Sequence, residues 1–211
     1  SRPVTLSMER GNKIALVGAN GIGKTTLLKS ILGLIPSLKG SCELGENLQI
    51  GYFEQEVKGD NKTTCIDEIW AEFPSYTQYE VRSALAKCGL TTKHIESQVR
   101  VLSGGEQAKV RLCKLVNKET NILLLDEPTA SLDADNEAMV QRALDEISKE
   151  RTIIMIAHRL KTVRGAQQIL VLENGRITQK GTHNQLVGTD GLYSRLWELQ
   201  NQAGNYTFKQ S

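Results

Sequence analysis

Residues 18–25 have the composition of a phosphate-binding loop. They read Gly-Ala-Asn-Gly-Ile-Gly-Lys-Thr, between the apolar run 14–17 and a helical pattern that starts near Lys24. Glycines let successive backbone N–H groups turn toward phosphate oxygens, and the helix N-terminus adds the positive end of its dipole. Lys24 then reaches the β- and γ-phosphates, and the Thr25 hydroxyl is offered to Mg²⁺. The alternative is a glycine-rich turn that binds nothing, and the Lys-Thr pair argues against it. The residues predicted here to bind nucleotide are Gly18, Asn20, Gly21, Ile22, Gly23, Lys24, Thr25 and Thr26.

Asp126 and Glu127 form the predicted reaction centre. They follow the apolar run 122–125, which is typical of a buried parallel strand. An aspartate at this position suits the coordination shell of Mg²⁺, and a glutamate suits the orientation or deprotonation of water. The sequence therefore predicts Asp126 as a metal ligand and Glu127 as a catalytic residue.

A second anion site is predicted at residues 102–107, which read Leu-Ser-Gly-Gly-Glu-Gln. A helical pattern follows, with Ala108, Leu112, Leu115 and Val116 on one face, so Ser-Gly-Gly is expected where helix N–H groups are free. Such a tripeptide alone is usually a turn. Its place shortly before the acidic strand indicates a site instead.

Strand-like and helical patterns alternate along the chain, which favours an α/β fold. Strands are predicted at 13–17, 47–53, 122–125 and 152–157, with helices at 24–34 and around 140–147. The stretch 66–117 is mostly helical. Asn174-Gly175 lies between strand-like segments 168–173 and 176–180, which predicts a late antiparallel hairpin.

These motifs, in this order and spacing, resemble the nucleotide-binding domain of the ATP-binding cassette (ABC) ATPases over nearly the whole chain. The resemblance implies a P-loop NTPase fold with a mostly parallel core sheet and a helical subdomain at about 56–117 that carries the signature. It implies that Gln55 contacts Mg²⁺ and the attacking water, and that His158 touches the γ-phosphate. It further implies that the signature residues act on the opposite protomer and that Asp133 lies in a loop at the dimer interface. The signature residues are Ser103, Gly104, Gly105 and Glu106.

The resemblance implies one ABC ATPase domain over residues 1–211, with ATP and Mg²⁺ as its ligands and a nucleotide-dependent, head-to-tail homodimer as its active form. The residues assigned to catalysis are Glu127, His158, Lys24 and Gln55, and those assigned to the metal are Thr25, Gln55 and Asp126. Two alternatives stay open. The chain is an exporter subunit that works with a transmembrane partner, or a ribosome-associated ABC-F factor.

The likeness changes along the chain. Segments 16–24, 50–55 and 102–112 resemble the ABC-F proteins, whereas 155–163, 169–177 and 181–183 resemble ABC exporters. Thr-Ala-Ser-Leu-Asp at 129–133 replaces the Asn-His-Leu-Asp form usual in ABC-F proteins. One hypothesis is a hybrid joined near 126–131, most simply an engineered one. The other is a natural divergent sequence.

Composition limits the partner classes. The net charge of +2 does not demand nucleic acid, and no direct nucleic-acid contact is expected. The apolar runs are too short to cross a bilayer, so no membrane insertion is expected. The four cysteines lie far apart with neither a Cys-x-x-Cys pair nor a matching histidine cluster, which favours buried thiols. With no signal peptide in the sequence, a cytoplasmic location is expected.

Weak ATP affinity is predicted for these 211 residues. ABC domains usually stack adenine on an aromatic side chain upstream of the phosphate loop, and the first aromatic residue here is Tyr52. Base stacking in nucleic-acid channels contributes about 1 to 3 kcal/mol, so the loss corresponds to roughly fivefold to 150-fold weaker binding. Isothermal titration with Mg-ATP checks this prediction, and a low-micromolar dissociation constant would refute it.

Overall fold

A six-stranded sheet forms the centre of the computed structural model, which describes residues 8–36, 40–43, 45–54, 60–128, 132–149 and 151–206. The strand order is β2-β3-β4-β1-β5-β6. All neighbours are parallel except β5 and β6. The strands are β1 (Lys13–Gly18), β2 (Ile50–Phe53), β3 (Ile122–Asp126), β4 (Thr152–Ile156), β5 (Gln168–Glu173) and β6 (Arg176–Gly181). The predicted α/β fold with a mostly parallel sheet is confirmed.

Helices cover both faces of this sheet. They are α1 (Lys24–Ile31), α2 (Cys65–Glu72), α3 (Gln78–Lys87), α4 (Thr92–Glu96), α5 (Gly104–Asn117), α6 (Ala134–Ile147), α7 (His183–Val187) and α8 (Leu192–Tyr206). In β1, Ala15 and Val17 pack toward α5 and α6, while Ile14 and Leu16 pack toward Leu28 of α1. Because alternate side chains are buried on opposite faces, the strand is a continuous apolar run.

Helices α2, α3 and α4 pack with α5 around a separate hydrophobic cluster. The first of them begins at Cys65, capped by the Thr64 hydroxyl, and α3 begins with a capping box formed by Thr77 and Glu80. Gly89 ends α3 with φ of 79°, because the chain must turn into the left-handed region for Leu90 N–H to bond the Leu85 carbonyl at 3.3 Å. The helical subdomain predicted at 56–117 therefore corresponds to helices between 65 and 117. Its boundary as a domain stays a prediction.

The basic side chains along α5 have partners within the domain. Lys114 pairs with Glu68. Burial raises the pKa of the Glu68 carboxyl group, but hydrogen bonds from Asn61 and Lys114 outweigh this effect and lower the pKa to about 2. The other contacts are Lys109 on the Gly89 carbonyl, Lys118 on Glu72 and Arg111 over the Phe53 ring. These contacts give the charges structural roles.

The predicted hairpin is confirmed. Strands β5 and β6 pair antiparallel, and Asn174 and Gly175 have φ of 51° and 70°. Positive φ at both central residues defines the turn that matches the twist of two antiparallel strands, and asparagine and glycine tolerate it best.

Some predicted burial is wrong. Cys42 is exposed, although Cys65, Cys88 and Cys113 are buried free thiols. Val116, which was placed on the apolar face of α5, is 36% exposed. In the part of the chain that the structure describes, no helix is long and apolar enough to span a membrane.

Gly18 is expected to tolerate no side chain. A Cβ there would lie 2.4 Å from the Leu172 carbonyl oxygen, a backbone atom of the paired strand β5. Gly18→Ala should therefore lower the free energy of unfolding by about 1 to 3 kcal/mol, the usual cost of overpacking. Urea denaturation measures it. Gly165→Ala is the matched control, because Gly165 is exposed and a Cβ there would meet no atom within 4 Å. Equal stability of the two variants would contradict the prediction.

Candidate active site

A pocket of about 330 Å³ opens at the carboxyl ends of the central strands. It is lined by Asn20, Gly21, Gly23, Lys24, Thr25, Thr26, Glu127 and His158. All eight were predicted from the sequence as nucleotide-binding or catalytic residues. The fold brings them together because parallel strands end at the same edge of the sheet, where ligands of open α/β sheets bind.

The N-terminus of α1 faces this pocket without a side-chain cap. Its N-cap is Gly23, with φ of 97°, and Gly21 has φ of 76°. The N-caps of α2, α5 and α6, in contrast, are Thr64, Ser103 and Asp133, whose side chains accept a bond from the first turn. The first-turn N–H groups of α1 are therefore oriented for an anion in the pocket.

Lys24 is 5% exposed, and its ammonium donates hydrogen bonds to the carbonyl oxygens of Gly18 and Ala19 at 2.9 and 2.8 Å. Burial lowers its pKa, against the opposing effect of the Glu127 and Asp126 carboxylates. A cation that has already lost most of its hydration and is held by its own loop binds an anion strongly.

Asp126 ends β3 as a fully buried carboxylate. The Thr25 hydroxyl donates to its Oδ1 at 3.1 Å, and the Tyr52 hydroxyl donates to its Oδ2 at 3.4 Å. Burial raises the pKa of Asp126, and the two hydroxyl bonds partly offset that rise. Tyr52 was not predicted as a site residue. Its strand pairs with β3 so that Tyr52 is opposite Leu124, which places it near the strand end that carries Asp126.

Glu127 and His158 face each other across the pocket, with Nε2 of the histidine 3.4 Å from Oε1 of the glutamate. Glu127 has φ of 48°, a left-handed conformation that costs energy for a residue with a side chain. Its N–H still donates to the Ile156 carbonyl at 3.1 Å, so it remains tied to β4. The His158 side chain is 44% exposed, whereas that of Glu127 is 9% exposed.

The signature residues lie at the start of α5 and do not line this pocket. The Ser103 hydroxyl accepts the Glu106 N–H, and Glu106 Oε2 accepts the Ser103 N–H at 2.8 Å. Glu106 Oε1 also contacts His94 at 3.1 Å. Of the N–H groups expected to be free, those of Ser103 and Glu106 are therefore occupied by the capping box.

Asp133 and the signature helix are joined through Asn136. Asp133 is the N-cap of α6, and both its carboxylate oxygens accept hydrogen bonds from Asn136. A Cβ on Gly105 would lie 2.4 Å from the Asn136 amide nitrogen, so only glycine lets the two helices approach this closely.

The remaining predictions concern Gln55, the suggested junction, Ile22 and Gly18. Gln55 and residues 129–131, which are the second half of the suggested junction, lie outside the described residues. Ile22 packs against the apolar cluster between the sheet and α1, and Gly18 is held by the close approach of β5. Neither of these two lines the pocket.

The oxygen donors near α1 fit a magnesium ion. Thr25 supplies a hydroxyl and Asp126 a carboxylate, which are hard ligands of the kind that Mg²⁺ prefers. No cluster of three or more metal-binding side chains occurs among the described residues. So few protein ligands are typical of a Mg²⁺ ion that is bound chiefly by substrate phosphates and water.

The profile of the family described as ABC transporter matches residues 1–130, more than half of the chain. The chain belongs to the ABC transporter family. This ABC domain is 68% identical over 158 residues to the uncharacterized ABC transporter ATP-binding protein YfmM of Bacillus subtilis, covering 75% of the chain and 30% of that relative. It is 33% identical over 219 residues to the ATP-dependent lipid A-core flippase of Pectobacterium atrosepticum, covering 93% of the chain and 38% of that relative.

A solved structure agrees with this assignment. The ABC domain is similar to a bacterial Atm1-family ABC exporter with ATP bound, with a TM-score of 0.73 and 26% identity over 90% of this chain and 37% of that one. The chain thus spans between 30% and 38% of the length of these relatives. It has the fold and the nucleotide-binding function of an ABC ATPase domain.

Proposed function

We propose that this ABC domain hydrolyses Mg-ATP at a site completed by a second copy of the same chain. The observation that carries the proposal is the pocket in which Lys24, Thr25, Glu127 and His158 converge. The uncapped α1 N-terminus and the Lys24 ammonium bind the β- and γ-phosphates, which places the reacting phosphorus beside Glu127 and His158. Asn20, Gly21, Gly23 and Thr26 complete the phosphate cradle, and Gly18 and Ile22 hold the loop in place.

Glu127 is the residue proposed to orient or deprotonate the attacking water. Its side chain is nearly buried and lies within the pocket, where a carboxylate has few competing water contacts. His158 stabilises the negative charge that develops on the γ-phosphate. Thr25, Asp126 and Gln55 would hold Mg²⁺, which supplies charge neutralisation to the transferred phosphoryl group.

The signature is proposed to act in trans. Ser103 is exposed at the tip of α5, and the N–H groups of Gly104 and Gly105 remain for an anion. Because Ser103–Glu106 do not line the pocket of their own chain, a partner must approach for these groups to reach nucleotide. Glu106 caps the start of α5. Asp133 is hydrogen-bonded to Asn136, whose side chain lies next to Gly105.

Mixing two inactive variants tests this proposal. Lys24→Met removes the phosphate-loop cation, and Ser103→Arg blocks the signature. Each homodimer should be inactive, but a mixed dimer contains one intact site. Random pairing gives half mixed dimers with one intact site of two, so activity should return to about one quarter of wild type.

The control mixes Lys24→Met with Glu127→Gln, two residues of the same pocket. Every site in that mixture lacks one of them, so no activity should return. Recovery in the control, or no recovery in the first mixture, would contradict action in trans.

A role in membrane export is the second candidate. Its support is the similarity to the lipid A-core flippase and to the Atm1-family exporter, which cover most of this chain. Such a function requires a transmembrane partner, and placement on the cytoplasmic side follows from it. Reconstitution with a transmembrane exporter domain should raise ATP turnover when a transported lipid is added. Ribosome association is the ABC-F alternative, and co-sedimentation with ribosomes tests it.

The hybrid hypothesis rests on unequal similarity. The sequence identity to YfmM is 68% over 75% of the chain. The identity to the lipid A-core flippase is 33% over 93% of the chain. Separate comparisons of residues 1–120 and 135–211 test it. One shared group of nearest relatives for both segments would remove the hypothesis.

A further inference from the structure

Gln200 of helix α8 holds the backbone on both sides of Arg159. Its side-chain Nε2 donates to the His158 carbonyl at 2.6 Å, and its Oε1 accepts the Leu160 N–H at 2.8 Å. One amide group therefore satisfies a backbone acceptor and a backbone donor that follow strand β4. No motif of the sequence pointed to this residue, which is 42 positions away from His158.

Helix α8 is anchored to the rest of the domain ahead of this contact. Tyr193 is fully buried, its hydroxyl lies 2.9 Å from His183 Nδ1, and its N–H donates to Gln179 Oε1 at 3.0 Å. One turn further, Trp197 packs edge-on against the His183 ring with 4.6 Å between centroids. The Trp197 ring also contacts the Arg164 guanidinium, which lies 5.7 Å from the ring centroid. The helix is thus fixed by groups that precede Gln200 by one and two turns.

The contact holds residues 158–160, the loop that carries His158. The Ala157 N–H bonds the Leu16 carbonyl at 3.3 Å where the strand ends. Beyond it, Gln200 bonds the His158 carbonyl and the Leu160 N–H, and the Arg159 carbonyl between them accepts from Thr162. His158 itself has a 44% exposed side chain that faces Glu127. Its position over the pocket therefore depends on how the backbone is held after the strand ends.

We infer that Gln200 is a positioning residue for ATP hydrolysis, which sets the distance of His158 from the γ-phosphate. The inference rests on the proposed role of His158. Gln200 does not line the pocket, so it acts only through the backbone that carries the histidine. Without these two hydrogen bonds the backbone that carries His158 is held less tightly. The γ-phosphate then loses a correctly placed histidine, whereas the phosphate loop still binds the α- and β-phosphates.

Gln200→Leu removes both hydrogen bonds at nearly constant side-chain size. A displacement of about 1 Å at a reacting group can cost up to about a hundredfold in rate, so kcat should fall by about tenfold or more. Binding of ADP should stay within about twofold of wild type because ADP has no γ-phosphate, whereas a non-hydrolysable ATP analogue should bind more weakly. Gln200→Glu keeps the acceptor for Leu160 but turns a carboxylate oxygen toward the His158 carbonyl in place of the donor, so it should also lose activity.

Gln202→Leu is the matched control, an exposed glutamine on the same helix. Its kcat should equal that of wild type, and melting temperatures of all variants show whether the fold persists. A double-mutant cycle with His158→Ala gives the decisive comparison. If Gln200 acts through His158, adding Gln200→Leu to His158→Ala should cost nothing further.

The outcomes separate the two claims. Loss of activity in His158→Ala together with normal kcat in Gln200→Leu overturns this inference alone. Additive losses in the double variant overturn it as well, because they mean that Gln200 stabilises the chain without acting on the histidine. Unchanged kcat in His158→Ala overturns the proposed role of His158 itself.

Discussion

Replacing Glu127 by glutamine is expected to slow ATP hydrolysis by about a hundredfold to ten-thousandfold, the usual contribution of a positioned general base. The amide has the same size but cannot accept a proton from water. Nucleotide binding should persist, because the phosphates are held by Lys24 and the N-terminus of α1. Steady-state phosphate release and equilibrium binding of Mg-ATP measure the two effects.

Glu173→Gln is the control for this variant. Glu173 ends β5, is exposed, and lies outside the pocket, so its removal changes charge without changing the site. Phosphate release should match wild type in that control. Full activity in Glu127→Gln would remove Glu127 from its catalytic role and leave water activation to another group.

Replacing Lys24 by methionine is expected to weaken Mg-ATP binding by about tenfold to 150-fold. This range corresponds to the contribution of about 1.5 to 3 kcal/mol from a hydrogen bond to a charged group. Methionine retains the length of the side chain but presents no charge to the phosphates. It also leaves the Gly18 and Ala19 carbonyls without their donor, so the loop loses its support. Isothermal titration with Mg-ATP gives the affinity.

Lys87→Met serves as the matched control, because Lys87 is exposed in the last turn of α3. Its affinity for Mg-ATP should be that of wild type. An unchanged dissociation constant for Lys24→Met would show that the backbone N–H groups bind the phosphates without the cation.

The pocket could be predicted from the sequence because its residues lie in short motifs at strand ends. Residues such as Lys24 and Glu127 adjoin apolar runs that are buried on both faces, so the sequence order fixes where they emerge from the sheet. The hairpin at Asn174-Gly175 was predictable for a similar local reason, since two adjacent residues must adopt positive φ.

Contacts between distant segments could not be predicted in the same way. Tyr52 meets Asp126 only because β2 and β3 pair in one register, and Gln200 meets His158 only because α8 packs against the short helical turn Leu160–Val163 that follows β4. The capping box of Ser103 and Glu106 has a local signature, Ser-x-x-Glu, that was interpreted as ligand binding. The same two residues cap the helix, and anion binding by Gly104 and Gly105 stays a prediction.

Two copies of this chain are proposed to enclose ATP. Size-exclusion chromatography with light scattering on Glu127→Gln tests it directly, because hydrolysis cannot release the dimer. A mass of 23.3 kDa is expected without nucleotide, and twice that mass is expected with saturating Mg-ATP. A mass of 23.3 kDa with Mg-ATP demonstrably bound would contradict it.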